Sequence, residues 1–548
     1  MAHRWEKSYS PGISWGESLL SQPIESFLNA AAAKWPEAAA LDFENNSFTF
    51  RSLRDLATRA AKGFQDLGVG PGVHVALLLP NCPQFIVGFF GALMAGARVV
   101  ILSPLAPKHE LEAQLVDSDA RVLITADLKA RTWNGIGTLE TIIFCGLDPL
   151  DFGPPNRPFE SSRGHPVSAS ETAVAFSAIL ANAGDHTIHP HGPLDEDVAV
   201  LQYTGGTTGE PKAAMLTHCN FSTVPHVFGR WVGNLMDETS SVLVVLPLFH
   251  VFGLVVVLLS ISVGAKIVLH KKFDVERTLT DIERKKVTVF FGVPTIYSAI
   301  VQHAEIENRD LSSLRLCGAG GAPLPTKILW RFRDLTGLTI LEGYSLTEIT
   351  DVGTWQPVAR AKPGTVGVPL PLTVVEIVDL ATGMEVLPLG QKGEICFSGP
   401  QLMKAYWRNP QATTEAFRAG RFHTGDIGFM DEDGYITLVD RKKDMILCGG
   451  HNVFPRKVEE AIHQHTAVAE VAVIGIPDPH LGETPKAFVV LRSGFQSFSE
   501  TELRAFLADK LAYHEIPKRV EVRQILPKST AGKISKKALL ASEGEVAL

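Results

Sequence analysis

The chain has 548 residues, of which 45% are hydrophobic and 20% charged, and its formal net charge is −8. This composition excludes intrinsic disorder, which requires few apolar residues and a high net charge. The acidic balance argues against nucleic acid as a partner, because nucleic-acid-binding proteins are expected to be basic. Six cysteines are scattered without a C-x-x-C pair. They indicate buried thiols in a reducing compartment, which we take to be the cytoplasm. We expect neither a zinc site nor a haem.

The first third of the chain alternates strand-like and helix-like segments. The apolar runs His74–Pro80, Arg98–Leu102 and Arg121–Thr125 are typical of strands, with helical segments at 82–95 and 108–118 between them. This repeated βαβ pattern predicts doubly wound α/β sheets with parallel strands.

Residues 150–195 interrupt this alternation with Pro, Ser, Gly and His. We expect an irregular excursion over the surface there. His186, His189 and His191 could serve as ligands, although a solvated loop is the favoured interpretation.

The most specific motif follows the apolar strand Val198–Leu201. It is an unbroken run of Thr and Gly, closed by a lysine: Thr204, Gly205, Gly206, Thr207, Thr208, Gly209 and then Lys212. Backbone N–H groups and hydroxyls in such a run converge on phosphate oxygens, and the lysine adds a positive charge. The spacing of a Walker loop is absent. The motif therefore predicts a phosphate-binding loop of another type.

The stretch from Val242 to Val263 has no charged residue and is long enough to raise the possibility of a membrane helix. Pro247, His250 and Gly253 break it, which favours a buried strand, a turn and then a helix. A membrane transport protein is the alternative class, and it would need a second span of similar length, which we do not find.

The character of the chain changes near Asp440. The charged segment Asp440–Asp444 is followed by short strand-like and helix-like segments, including a strand at 468–475 and helices at 455–465 and 500–511. This pattern predicts a separate small α+β unit after one very large unit.

These segments, in this order, resemble the adenylate-forming superfamily of acyl-CoA synthetases, luciferases and peptide-synthetase adenylation domains. The resemblance covers about residues 30–540 and is strongest to bacterial medium- to long-chain fatty acyl-CoA ligases. It implies an α/β fold with a large N-terminal adenylation domain, residues 1–439, of doubly wound α/β subdomains plus a β-barrel-like subdomain. A small mobile α+β C-terminal domain, residues 440–548, would follow.

The resemblance also implies a reaction. A carboxylic acid, in the first instance a medium- to long-chain fatty acid, is activated by ATP and Mg²⁺ as acyl-AMP with release of pyrophosphate. The acyl group is then transferred to coenzyme A. Two alternatives stay open: an acyl-AMP ligase that delivers to a carrier protein, and a CoA ligase for aryl or dicarboxylic acids. Carrier-protein ligases usually have an insertion that is not evident here between Val439 and Val453.

The resemblance assigns roles within the large domain. His250 belongs to the catalytic set and, with Phe249, Val251 and Ser345, to the acyl pocket. The adenine and phosphate residues implied are Gly320, Gly321, Ala322, Pro323, Gly343, Tyr344, Ser345 and Thr347. Glu348 is the implied Mg²⁺ ligand, since Mg²⁺ is usually held by one or two carboxylates together with substrate phosphates. Acetate-specific relatives carry Trp at position 345, so Ser345 favours a longer acyl chain.

Further roles follow toward the C-terminus. Asp426 and Arg441 are the implied ribose contacts, and the hinge spans Asp440 to Lys443, with its pivot on Lys443. The residues implied to face coenzyme A are Gly449, Gly450 and His451. Lys533 is implied to bridge the acyl carboxylate and the phosphate in the first step.

The partners implied beyond the substrates are less specific. The sequence around Lys533 resembles sites of reversible lysine acetylation, so a lysine acetyltransferase is an expected regulator. Peripheral membrane contact and a homodimer both stay open.

Overall fold

A computed structural model describes residues 3–16, 18–19, 21–126, 133, 136–147, 172–181, 185–204, 212–495, 499–528 and 534–546. The chain divides into two compact units. The first comprises residues 1–374, 397–420 and 433–435, and the second comprises residues 375–396, 421–432 and 436–548. The second unit includes two stretches that lie wholly before residue 440 and a third that begins at residue 436, and a domain boundary at residue 440 stays a prediction.

The strands, numbered in chain order, are β1 Ala39–Phe43, β2 Asn46–Thr49, β3 His74–Leu78, β4 Arg98–Ile101, β5 Ala120–Thr125, β6 Thr141–Phe144, β7 Thr172–Ala175, β8 Val198–Thr204, β9 Lys212–Thr217, β10 Ser241–Val244, β11 Lys266–Leu269, β12 Val289–Gly292, β13 Leu316–Ala319 and β14 Leu341–Leu346. They continue as β15 Asp351–Trp355, β16 Val368–Pro369, β17 Val374–Val378, β18 Gly393–Ser398, β19 Ala405–Tyr406, β20 Phe417–Arg418, β21 Arg421–Met430, β22 Ile436–Arg441, β23 Ile446–Cys448, β24 His451–Val453, β25 Val468–Asp478, β26 Gly482–Leu491 and β27 Arg519–Val522.

The α-helices are α1 Glu25–Lys34, α2 Phe50–Asp66, α3 Pro83–Met94, α4 Lys108–Asp117, α5 Phe176–Leu180, α6 His218–Val232, α7 Val251–Val263, α8 Val275–Arg284, α9 Pro294–Val301, α10 Thr326–Thr336, α11 Pro410–Ala416, α12 Pro455–His463, α13 Glu500–Leu507 and α14 Lys536–Val546. Short 3₁₀ turns lie at Arg4–Ser8, Gly233–Leu235, Ile306–Asn308, Thr347–Ile349, Val358–Arg360 and Tyr513–Glu515.

Two large sheets form the first unit. One has the strand order β19-β9-β8-β4-β3-β5-β6-β7, and the other β16-β15-β14-β13-β12-β10-β11-β1-β2. In the first sheet β7, β6, β5, β3, β4 and β8 form a run of parallel neighbours, and in the second sheet β1, β11, β10, β12, β13 and β14 do so. The pairs β8–β9, β1–β2 and β14–β15 at the ends of these runs are antiparallel. The prediction of doubly wound α/β sheets is therefore confirmed.

Burial on both faces explains the apolar runs. Every residue of β3 is buried, as is every residue of α3, because helices cover a parallel sheet on both sides. Pro83 begins α3, at the position where the missing N–H of proline costs nothing. All six cysteines are also buried, and none forms a disulfide.

The uncharged stretch from Val242 to Val263 is a core strand followed by a helix. Ser241–Val244 forms β10 and Val251–Val263 forms α7, which ends at Gly264 in the left-handed conformation. No helix among the described residues is long and apolar enough to cross a membrane. The strand, turn and helix interpretation is confirmed.

The stretch 150–195 is more ordered than expected where it is described. Thr172–Ala175 extends the parallel sheet beside β6, and α5 buries Phe176, Ile179 and Leu180. The expectation of an irregular excursion was wrong for these residues, because β7 pairs with β6 and α5 packs against α2.

The second unit contains two smaller sheets. Strands β17, β18 and β21 pair in that order and β22 pairs with β21. The other sheet has the order β24-β23-β26-β25, with β27 beside β26. Helices α12 and α13 pack against its apolar face, and this is the small α+β arrangement that the sequence predicts.

Candidate active site

The Thr/Gly motif connects two antiparallel strands of the first unit. Pairing of β8 with β9 continues to Thr204 and Lys212, and the Thr204 hydroxyl donates to the Lys212 carbonyl at 3.3 Å. Gly205, Gly206, Thr207, Thr208 and Gly209 lie outside the described residues. The Lys212 ammonium lies 5.4 Å from the centre of the Tyr406 ring. The hairpin therefore places the positive charge of Lys212 at one end of the predicted phosphate loop.

Tyr406 also holds the carboxylate predicted to bind Mg²⁺. Its hydroxyl donates to Glu348 Oε1 at 2.8 Å. Burial, and then the adjacent Glu348 charge, raise the pKa of Tyr406, so the phenol stays a neutral donor. Tyr406 lies on β19, which pairs with β9. One side chain thus joins the Thr/Gly hairpin to the 342–348 motif, and no sequence motif pointed to it.

The turn that carries Glu348 is fixed by its backbone. Thr347–Ile349 forms a single 3₁₀ turn after β14, and the Glu348 carbonyl accepts from Met403 N at 2.8 Å. Tyr344 is 5% exposed, and its ring centre lies 5.6 Å from that of Phe397. The predicted adenine-binding ring is therefore held by a second aromatic ring.

The two small-residue motifs lie side by side. Strands β13 and β14 are parallel neighbours, so the 320–323 turn and Gly343–Ser345 follow at the same edge of the sheet. Open α/β sheets bind ligands at the carboxyl ends of their strands. Glu342 Oε2 accepts from Leu324 N at 3.1 Å and ties the turn to β14. Gly321 has φ +79°, a conformation that favours glycine.

The predicted acyl segment 249–251 enters the same region. His250 caps α7, since its Nδ1 accepts from Phe252 N at 3.3 Å, and the Phe249 carbonyl accepts from Gln202 Nε2 at 3.1 Å. Val251 is buried. A Cβ added at Gly320 would lie 3.4 Å from the Phe252 ring. Phe252, which the sequence did not indicate, therefore joins the acyl segment to the adenine motif.

In the second unit, the two predicted ribose residues lie together. Asp426 and Arg441 are cross-strand partners on β21 and β22, and Arg441 Nε lies 3.2 Å from Asp426 Oδ1. Gly425, with φ +71°, lies within β21 immediately before Asp426. A ribose bound here would meet an acid and a guanidinium that already share a salt bridge.

A buried glutamate supports this pair. Glu394 Oε1 accepts from Gly425 N at 3.1 Å, and Glu394 Oε2 lies 3.3 Å from Lys442 Nζ and 3.4 Å from His423 Nδ1. Burial alone would raise the pKa of Glu394, but the Lys442 charge and the His423 hydrogen bond lower it. Lys442 N also donates to the Gly425 carbonyl at 2.8 Å. Gly425 and Lys442 are thus fixed to each other by a hydrogen bond and a shared glutamate, a link that the sequence did not indicate.

The first two residues of the predicted hinge lie in a strand. Strand β22 runs through Asp440 and Arg441, so the expected charged break at 440–444 was wrong in its first two residues. Asp440 Oδ2 accepts from Arg456 N at 2.7 Å, near the start of α12. Burial raises the pKa of Asp440 and lowers that of Lys443. Backbone pairing and side-chain contacts therefore hold residues 440–442, and Lys443 follows them.

The predicted coenzyme A face is a tight hairpin between β23 and β24. Gly449 has φ +58° and Gly450 φ +82°, and an added Cβ at Gly450 would meet nothing within 4 Å. The His451 and His514 rings are stacked with centres 4.3 Å apart. Lys533 lies outside the described residues.

Comparisons with known proteins identify the family of this chain. The family model for AMP-binding enzymes matches residues 28–407, and the model for the AMP-binding enzyme C-terminal domain matches residues 457–533. The chain belongs to the AMP-binding enzyme family.

Individual relatives match nearly the whole chain. A long-chain-fatty-acid–CoA ligase of Bacillus subtilis is 38% identical over 555 residues, which is 99% of this chain and 98% of the relative. A feruloyl-CoA synthase of an Amycolatopsis species is also 38% identical and covers 91% of this chain and 95% of its own length.

Solved structures of coenzyme A synthetases have a similar fold. The o-succinylbenzoate coenzyme A synthetase of Bacillus subtilis with ATP and magnesium superposes with a TM-score of 0.80, at 27% identity, over 95% of this chain and 100% of its own. Its complex with an acyl-adenylate gives a TM-score of 0.81 at 28% identity, over 95% and 98% of the two chains. The predicted enzyme class is confirmed: this AMP-binding enzyme is an ATP-dependent acyl-CoA ligase that works through an acyl-adenylate.

Proposed function

We propose that this AMP-binding enzyme activates a medium- to long-chain fatty acid and transfers it to coenzyme A in the cytoplasm. The observation that carries the proposal is the arrangement of Glu348, Tyr406 and Lys212 in the same unit as the apolar helix α7. The same unit therefore holds a lysine suited to phosphate and a largely buried apolar helix that begins at Val251. The long-chain relative from Bacillus subtilis supports the choice of acid, and six buried cysteines, none of which forms a disulfide, support the compartment.

Glu348 suits Mg²⁺ in this proposal. It is a hard oxygen ligand whose carboxylate is oriented by the Tyr406 hydroxyl. When bound with ATP, Mg²⁺ would neutralise phosphate charge. Lys212 and the Thr/Gly loop would hold the phosphates, and Thr347 would contact the α-phosphate. In the first half-reaction the acyl carboxylate attacks this phosphorus and pyrophosphate leaves, so the residues act by positioning and electrostatic stabilisation.

The second half-reaction uses the second unit. We propose that the segment beyond Lys443 rotates, so that Lys533 serves adenylate formation and Gly449, Gly450 and His451 serve coenzyme A. The coenzyme A thiolate attacks the acyl carbonyl and AMP leaves. Asp426 and Arg441 would hold the ribose through both steps. Acetylation of Lys533 would remove its charge and stop the first step.

The test compares half-reactions in the full-length enzyme. Pyrophosphate release is measured with fatty acids of increasing length and with aromatic and dicarboxylic acids, and we expect the highest kcat/KM for medium to long fatty acids. Lys533→Ala should abolish pyrophosphate release and spare thioester formation from a supplied acyl-adenylate. Lys528→Ala is the matched control, because Lys528 lies nearby in sequence and pairs with Glu470 at 2.7 Å.

Two outcomes would contradict this function. Preference for aromatic or dicarboxylic acids would refute the choice of acid. Equal loss of both half-reactions in Lys533→Ala would refute the role of Lys533.

A further inference from the structure

A buried acid lies three residues beyond Glu348, and the mechanism above does not use it. Asp351 is 4% exposed, and its Oδ1 has no hydrogen-bond partner among the described residues. Burial raises the pKa of Asp351 to about 8, so its carboxyl group is largely protonated near neutral pH. A protonated carboxyl both donates and accepts a hydrogen bond. An unsatisfied group of this kind is rare in a protein interior and calls for an explanation.

The backbone at this position is also unusual. Thr350 has φ +49° and Asp351 φ +85°, and both are residues other than glycine in the left-handed region. Such conformations cost free energy and cluster at ligand-binding sites. The Asp351 side chain therefore follows the Glu348 turn through a strained backbone at Thr350 and Asp351.

Asp351 begins β15, a strand next to segments predicted to bind the acyl group. In the β14–β15 pairing Asp351 lies opposite Leu346, and the next pair joins Val352 to Ser345, a predicted acyl-pocket residue. Strand β15 packs against α7, the helix that His250 caps. Asp351 thus begins a strand that pairs with the strand of Ser345 and packs against the helix that His250 caps.

We propose that Asp351 is a specificity-determining residue that recognises a hydroxyl group on the acyl chain of the substrate. This inference rests on the proposed function and narrows its substrate class from plain to hydroxylated fatty acids. A substrate hydroxyl supplies the missing partner of the Asp351 carboxyl. An unsubstituted chain leaves that carboxyl unpaired in an apolar site, which is the basis on which enzymes reject analogues that lack a polar group.

The experiment measures the ratio of kcat/KM for hydroxylated over plain acids. Decanoate is compared with hydroxydecanoates that each carry one hydroxyl at a different carbon, by pyrophosphate release. For the wild type we expect at least one hydroxydecanoate to exceed decanoate about tenfold or more. Asp351→Gly, which accepts the positive φ without strain, should bring this ratio to about one. Asp351→Asn should keep most of the preference, because an amide also donates and accepts.

A control separates this role from the general effect of a buried polar group. Thr278→Val removes another buried hydroxyl without a partner among the described residues, on α8, and should leave the ratio unchanged. Thermal unfolding reports whether each variant folds. If Asp351→Gly does not fold, the ratio measured for Asp351→Asn still tests the inference. Two results overturn the inference but leave the proposed function intact. One is pyrophosphate release with decanoate and no preference of the wild type for a hydroxydecanoate. The other is an unchanged kcat/KM ratio of hydroxylated over plain acid in Asp351→Gly. If no acid of the series supports pyrophosphate release, both the proposed function and the inference are overturned.

Discussion

At the scale of single residues, Tyr406 links two motifs of this ligase that are far apart in sequence. It donates to Glu348 across 58 positions of the chain, and its ring faces Lys212. The role of Glu348 could be predicted from its motif, whereas Tyr406 lies in a segment without any motif. Its position follows from the short pairing of β19 with β9, which local sequence does not encode.

We predict that Tyr406→Phe lowers kcat/KM for adenylate formation about tenfold or more. The loss of one hydrogen bond to a charged group costs about 1.5–3 kcal/mol. The variant should also need more Mg²⁺ for half-maximal pyrophosphate release, because Glu348 loses its orienting donor. Tyr435→Phe is the control, since that hydroxyl donates to the Arg360 carbonyl instead. Wild-type Mg²⁺ dependence in Tyr406→Phe would contradict the assignment.

At the scale of elements, a histidine ties helix α1 to the segment that leads into β8. His191 Nε2 lies 2.7 Å from Glu25 Oε1, and Nδ1 lies 2.9 Å from Asp197 Oδ2. Glu25 belongs to the first turn of α1, and Asp197 immediately precedes β8. The expectation of a solvated loop was therefore wrong for His191, because two carboxylates hold its ring.

This contact predicts a pH-dependent stability. The hydrogen bond to Glu25, reinforced by Asp197 and opposed by burial, raises the pKa of His191 from 6.5 to about 9. Because the folded-state pKa is the higher one, the stabilisation is complete below pH 6.5 and is lost as the pH rises through about 9. It amounts to about 3 kcal/mol at most.

Thermal unfolding across this pH range provides the measurement. His191→Gln should flatten the decline in the unfolding midpoint, whereas His109→Gln, an exposed histidine on α4, should leave it unchanged. A decline of the same size in His191→Gln would show that other groups cause it.

At the scale of the whole molecule, the proposed alternation depends on a short segment. Arg441 is paired with Asp426 and Lys442 with Glu394, while Asp440 accepts from Arg456 N at the start of α12. These contacts leave Lys443 as the first position at which the backbone could rotate without breaking the Arg441 and Lys442 pairs. Such a rotation would break the contact between Asp440 and Arg456.

We predict that Lys443→Pro impairs thioester formation at least about tenfold and spares pyrophosphate release, because proline fixes φ near −65°. Lys443→Ala, which removes the charge but keeps the backbone free, should retain both half-reactions. The two half-reactions are measured separately, the second from a supplied acyl-adenylate. Normal thioester formation in Lys443→Pro would place the pivot elsewhere.

Most of the fold was predictable from local sequence, for a physical reason. Parallel strands covered on both faces are continuously apolar, so β3, β4 and β5 were found within about two residues of their ends. The pattern failed where a charged segment was paired, as at Asp440 and Arg441 in β22, because cross-strand pairing overrides local polarity.

The sequence by itself determined the fold class, the ligase class and the main motifs, because each motif needs particular residue types at fixed spacing. Only the tertiary structure brought Tyr406 to Glu348, Glu394 to Lys442 and His191 between two carboxylates. It alone showed that Asp351 is buried with an unpaired oxygen among the described residues. These contacts depend on which strands and helices become neighbours, and residues far apart in the chain decide that jointly.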